Sequence, residues 1–333
     1  MLPATSPLLR RVLTVVSCLS LICASHAVEI PTQPPAKPLP GVQHVLLVGI
    51  DAFGAYSWEK ADIPNIKALA SRGALSLRAR SVSPSVSAPN WGSHLMGAGP
   101  ETHGRISNAK ESALPPYTLS KYGRFPGIYG LIRDAYPQAR TGLFYDWERI
   151  HDLVEDKAVS FAKEFKHAPF SKDTKPHEKV DAYEKSTAEV AEAAVEYIAQ
   201  KKPFFTFVYF SAVDETGHIL GHDTPHYYAT LQKVDAHVGS LIGALRQAGI
   251  EQETVIILIA DHGGYKKGHN EARLVVYQTP WIIAGPGVKR GHNIESNVVH
   301  FDTAATVAHI LGLQIPQVWR GRPITEAFVV SGK

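Results

Sequence analysis

The sequence predicts a three-layer α/β/α sandwich around a largely parallel sheet. Two observations carry that expectation, and a third marks the site. Three segments are nearly continuous apolar runs rich in Val, Ile and Phe. Amphipathic helical patterns alternate with them, and each apolar run leads into an aspartate.

Taken in chain order, the first element is not part of the fold. Arg10 and Arg11 precede an apolar stretch, Val12 to Ala24, closed by Ser25-His26-Ala27. The stretch falls short of the roughly 20 apolar residues a bilayer crossing needs. Residues 1–27 therefore read as a cleavable signal peptide, which implies a secreted or periplasmic protein with no membrane span in the mature chain. Cleavage removes Cys18 and Cys23, the only cysteines of the 333 residues, so the core must hold without a disulfide. It also removes two arginines and no acid, taking the formal net charge from +3 to +1, which gives no sign of a nucleic-acid-binding surface. "VEIPTQPPAKPLP" then reads as an extended tether over 28–41. Residues 42–333 are enough for a single catalytic domain.

Within that domain, "VQHVLLVGI" (42–50), "KPFFTFVYF" (202–210) and "TVIILIA" (254–260) have the pattern of strands buried on both faces. Helical patterns run from 64, 187, 225 and 303, with Gly73, Gly249 and Gly312 as stops. The segment 110–180 is charged and proline-rich. It reads either as a lid that sets specificity or as a solvated insertion.

The residues just beyond the strands carry the chemistry. Asp51, Asp214 and Asp261 would meet past the carboxyl ends of a parallel sheet, where ligands bind in such folds. Uncompensated buried carboxylates are costly, so a cation should lie among them. "DETGH" adds His218 four residues after Asp214, across a glycine read as a tight turn. "ADHGG" adds His262, and "GHNEAR" adds His269 on a glycine-rich loop. Imidazole and carboxylate are zinc ligands. The expectation is two divalent metal ions, zinc by ligand type, one held by Asp214, His218 and His269 and the other by Asp51, Asp261 and His262. His222 and His300 are rival third histidines.

These pieces resemble the alkaline phosphatase superfamily, and most closely its type I phosphodiesterase / nucleotide pyrophosphatase branch. "GIDAF", "SAPNWGSHLMGAGPETHG", "SN" at 107–108, "DETGH", "ADHGG", "GHNEA", "IAGPGV" and "FDTAATVAHILGL" occur in family order from about residue 43 to 325. The resemblance implies an alkaline phosphatase-like fold. It also implies Ser87 as a nucleophile where threonine is common, and Asn108 as a contact to a phosphoryl oxygen, with Asn90 a nearer alternative. Pro89 suits a first helical turn, so Ser87 should sit at a helix N-terminus, where free N–H groups and the dipole favour an anion. Ser81, Ser83 and Ser85 have no such place.

The implied activity is phosphoester hydrolysis of a small molecule, a nucleotide among the candidates, through a phospho-Ser87 intermediate. A phosphodiesterase comes first and a phosphomonoesterase second. The latter wants an arginine on the phosphoryl oxygens, for which only the unmatched Arg105 and Arg149 offer themselves. Trp91, Tyr145 and Trp147 are candidates for stacking on a leaving group or for the core. A sulfatase motif would carry Arg at the fifth place from Ser87, where Trp91 stands. A metal-binding module without turnover is the remaining class.

Overall fold

The structure is a computed structural model that describes residues 37–111 and 114–329. The signal peptide and most of the tether lie outside the described residues. At the tether's end, the Leu39 N–H donates to the Ile310 carbonyl at 2.8 Å, joining the chain to the domain.

Eight strands form one sheet: β1 (His44–Ile50), β2 (Ala74–Arg80), β3 (Thr141–Tyr145), β4 (Phe161–Glu164), β5 (Phe205–Phe210), β6 (Thr254–Ile259), β7 (Gln278–Ala284) and β8 (His292–Asn293). Their order is β4-β3-β5-β1-β6-β7-β2-β8. All neighbouring pairs are parallel except those made by β7, which runs antiparallel to both β6 and β2. The predicted sandwich is thus present, with one reversed strand. β1 lies at the centre, with Val48 opposite Val208 of β5 and Leu258 of β6.

Alternation along each strand divides the apolar residues between two layers. Val45, Leu47, Phe205, Phe207, Tyr209, Ile257 and Ile259 face one core with Trp91, Leu95 and Ile310, from the helices Ser87–Met96 and Asp302–Ile310. Leu46, Val48, Ile50, Val208, Phe210, Ile256 and Leu258 face the other. There they meet the helices Pro64–Ser71, Pro176–Lys201 and Pro225–Gln247. Asp235 ties two of these together, its carboxylate accepting from the N–H groups of Asn65 and Ile66 at the start of Pro64–Ser71.

One boundary differs from the sequence reading. The helix expected from 187 begins at Pro176, because proline fits a first turn and Glu178 accepts the Lys175 N–H at 2.7 Å. The first two turns are largely solvated and show no apolar stripe to read. The segment 110–180 supplies the helix Ile128–Ala135, the strand β3 and the edge strand β4.

Beneath that helix, the buried Glu155 accepts the Gly130 N–H at 2.6 Å, and its other oxygen has no partner. Burial pushes its carboxyl up to about 8. The folded state therefore holds this proton more tightly than the unfolded state, so stability is present at low pH. It is lost as pH rises from the ordinary carboxylate range toward 8. Denaturant titrations between pH 5 and 8.5 should show wild type losing up to about 1 kcal/mol per pH unit relative to E155Q. Parallel pH profiles for the two proteins would reject this assignment.

Candidate active site

The central trio β5-β1-β6 delivers its three aspartates to one end of the sheet. Asp51 follows β1, and Asp261 follows β6 after Ala260. Asp214 sits in the first turn of the helix Ala212–Leu220 beyond β5. That junction is held by Asp146, which accepts from the Ser211 N–H at 2.9 Å and the Thr187 hydroxyl at 2.5 Å. "DETGH" is helical rather than a tight turn. Asp214 and His218 fall four residues apart on one helical face, with His218 Nε2 3.2 Å from Asp214 Oδ2. Gly217 serves instead as clearance, because a Cβ there would lie 2.2 Å from the His222 ring.

Around His262 Nε2 converge Asp261 Oδ2 at 3.1 Å, Ser87 Oγ at 3.3 Å and Asp51 Oδ1 at 3.6 Å. Two ligands about 2.0 Å from a tetrahedral zinc lie roughly 3.3 Å apart, so this spacing is that of a ligand shell. Asp214, His218 and His269 form one group whose ligand atoms lie within 4.8 Å of one another, and Asp51, Asp214 and His262 form a second. The sequence assigns Asp214 to one ion only; the structure places it in both groups. Asp261 Oδ1 is occupied by the N–H groups of Ala52 and His262, which leaves Oδ2 for the cluster.

Two further observations fit the site to cations. Asp51 Oδ1, Asp214 Oδ1 and Asp261 Oδ2 are buried without a hydrogen-bond partner. The three histidines are also set up in the same way. Nδ1 meets a backbone carbonyl in each: Lys267 for His218 (2.9 Å), Gly263 for His262 (2.9 Å) and Ser85 for His269 (2.7 Å). That orients each ring so that Nε2 faces the cluster. The electrostatics agree. Burial and the neighbouring acids Asp261 and Asp214 raise the Asp51 carboxyl well above its usual range, and burial raises Asp261 as well. Burial opposes charge on Asp214 too, but the hydrogen bond from His218 overcomes it and holds that carboxyl low. The same bond lifts His218 to about 9, while burial depresses His262.

Ser87 opens the helix Ser87–Met96, as expected, but the helix end is less open than predicted. The Ala88 N–H donates to Asn108 Oδ1 at 2.8 Å, Pro89 has none, and the Asn90 N–H bonds the Val86 carbonyl. Asn108 is thus fastened beside Ser87 through its oxygen, which leaves the amide nitrogen to donate. Asn90 is fully buried and spans Val82, Pro84 and Val86, so it braces the serine-rich loop and cannot reach a ligand. His300 is likewise structural, bonded to Asn90 and Thr279 and stacked on His94. His222 Nε2 stops 3.9 Å from Asp214 Oδ1 and belongs to neither ligand group.

Arg105 is bonded to the Lys110 and Asp152 carbonyls, and Arg149 pairs with Glu148 and Asp152. Trp91 and Tyr145 are buried, Trp91 donating to Asp51 Oδ2 at 3.0 Å, while half-buried Trp147 stacks on Tyr209. The sequence reading missed Tyr209, whose hydroxyl donates to the same Asp51 oxygen at 2.5 Å. A lone tyrosine in a buried run of Phe and Val was the available signal, since a buried hydroxyl needs a partner.

The family pattern described as type I phosphodiesterase / nucleotide pyrophosphatase matches residues 45–120 and 132–276, which include every member of this cluster. The chain belongs to that family. Its fold is shared with solved structures at low identity. A 2-O GAG sulfatase aligns with a TM-score of 0.69 and 17% identity over 88% of this chain and 74% of that one. Murine ectonucleotide pyrophosphatase / phosphodiesterase 5, in an inactive form with AMP, aligns with a TM-score of 0.65 and 14% identity over 86% of this chain and 100% of that one. A phosphonate monoester hydrolase from Silicibacter pomeroyi aligns at 0.61 and 18%, over 87% and 78%. Among curated sequences, arylsulfatase K of Bos taurus is 34% identical over 96 residues, 27% of this chain, and the human enzyme is 32% identical over the same length. The matched stretch spans only 18% of either relative. These relatives are hydrolases of phosphoesters or sulfate esters.

Proposed function

We propose that the protein is an exported phosphoester hydrolase, phosphodiesterase-like, with Ser87 as nucleophile. The observation that supports this best is Ser87 Oγ, 3.3 Å from His262 Nε2, facing buried carboxylates whose inner oxygens have no partner. Asp214, His218 and His269 would hold one divalent cation, and Asp51, Asp261 and His262 the other, with Asp214 beside both. Bound there, such cations lower the pKa of a serine hydroxyl and of water and stabilise a departing oxygen.

The chain's own residues supply the rest. Ser87 attacks phosphorus and displaces one alkoxide of the diester, which leaves with a proton as the alcohol. The serine phosphodiester so formed keeps the other ester group, and water then cleaves it to free Ser87 and release a phosphomonoester. The Asn108 amide donates to a phosphoryl oxygen. It is neutral, and both candidate arginines are engaged by Asp152, so one negative charge on the phosphoryl group suits the site better than two. Of the three aromatic candidates, Trp147 is the one not fully buried, and it would be the surface for a nucleobase or other leaving group.

A sulfatase is the second reading, favoured by the curated relatives. Against it stands Trp91 at the fifth place from Ser87, buried and bonded to Asp51, where that chemistry would need an arginine. The test is a three-way assay on zinc-loaded protein with p-nitrophenyl phosphate, a nucleoside p-nitrophenyl phosphodiester and p-nitrophenyl sulfate. The diester should give the highest kcat/KM, by at least about tenfold, or roughly 1.4 kcal/mol of transition-state discrimination. Preference for the monoester or the sulfate would overturn the phosphodiesterase reading.

A further inference from the structure

We propose that Trp91 and Tyr209 act together as positioning residues for Asp51, fixing which of its oxygens is offered to the cluster. The inference rests on Asp51 being a cation ligand. Trp91 Nε1 donates to Asp51 Oδ2 at 3.0 Å and Tyr209 Oη donates to the same atom at 2.5 Å. Both lone-pair directions of Oδ2 are then filled, and Oδ1 is left alone, without a hydrogen bond, 3.6 Å from His262 Nε2. A carboxylate on a strand end can otherwise rotate and present either oxygen, or both. Here it is confined to one.

The surrounding packing is built to hold the two donors. Trp91 and Tyr209 meet edge to face, with ring centroids 5.2 Å apart at 85°. Gly49, two residues before Asp51, makes room for the indole, because a Cβ there would lie 2.6 Å from it. Both side chains are fully buried, so water does not compete for the carboxylate. The two donors come from different elements, the helix that begins at Ser87 and β5. The orientation of Asp51 is thereby tied to the element that carries the nucleophile. Donors on a ligating carboxylate typically contribute tenfold to a hundredfold to metal affinity.

The experiment is a zinc titration of the metal-free protein against a chromophoric chelator, for wild type, Y209F, W91F and the double variant, with the melting temperature of each metal-free form. Y209F removes only a hydroxyl. Wild type should bind two zinc ions. Y209F should weaken one of them about tenfold or more and leave the other within twofold, at an unchanged melting temperature. The double variant should weaken the same ion further. The inference is overturned if Y209F and the double variant bind both ions as wild type does. It is also overturned if the two ions weaken equally alongside a fall in melting temperature, which is what a merely structural role produces. Wild type that binds no zinc would defeat the two-cation reading itself, a result distinct from either of these.

Discussion

Ser87→Ala is expected to lower kcat on the diester substrate by at least about a thousandfold while zinc stoichiometry stays at two. The change deletes one atom from a buried, well-supported position. The helix Ser87–Met96 keeps its start, because the Asn108 bond goes to the Ala88 N–H and Asn90 still braces the loop. Loss of rate without loss of fold or metal would locate the effect in bond making. Acid quenching during turnover should trap the labelled nucleotidyl group on wild type and none on the variant. A variant that retains activity within about tenfold would remove Ser87 from the mechanism and leave direct attack by water.

Asp51→Asn should separate stability from function. In the metal-free protein Asp51 is buried beside two other acids, and its carboxyl is raised for that reason. A raised acid binds its proton more tightly in the folded state, so metal-free stability is largest below the ordinary carboxylate range and declines as pH rises. Asparagine removes that decline. Its carbonyl oxygen can still accept from Trp91 and Tyr209, and its amide replaces the oxygen that had no partner. At pH 8 the chelated variant should be more stable than chelated wild type by about 1–2 kcal/mol, or roughly 4 °C in melting temperature. With saturating zinc the order should reverse, because wild type gains from binding and the variant has lost a charged ligand. Differential scanning calorimetry with and without chelator reads both signs. A chelated variant that melts below wild type would show that the carboxylates are compensated by something other than a cation.

Much of the fold was legible because its central strands are extreme. β1, β5 and β6 are covered on both faces, and only continuous apolar runs satisfy that environment. β3 and β4 escaped notice for opposite reasons. β3 is a short "TGLFY" inside polar sequence, and β4, "FAKE", is a solvated edge whose charged residues carry no burial signal. At the site, the acids and histidines declared themselves by their place after the strands. Their sharing did not, because only three-dimensional distance shows that Asp214 lies beside both groups. Asn90 and Asn108 look alike in sequence, and they separate only once one is seen buried among loop carbonyls and the other at the Ala88 N–H. His300 is excluded in the same way, by partners more than twenty residues distant.

The position of β1 between β5 and β6 also governs the order in which the protein becomes competent. Its register pairs His44 with Thr254 and Val45 with Phe205, so the middle of the sheet closes only after most of the chain has been made. Contacts so distant in sequence form slowly, since long loops must be closed before any pairing rewards them. Asp51 waits at the first strand end until Asp214 and Asp261 arrive on the two later ones. Before those strands pair, the three acids belong to separate segments and form no cluster. On the proposed reading, tight cation capture would be a property of the finished sheet, so that maturation and catalytic competence would become a single event.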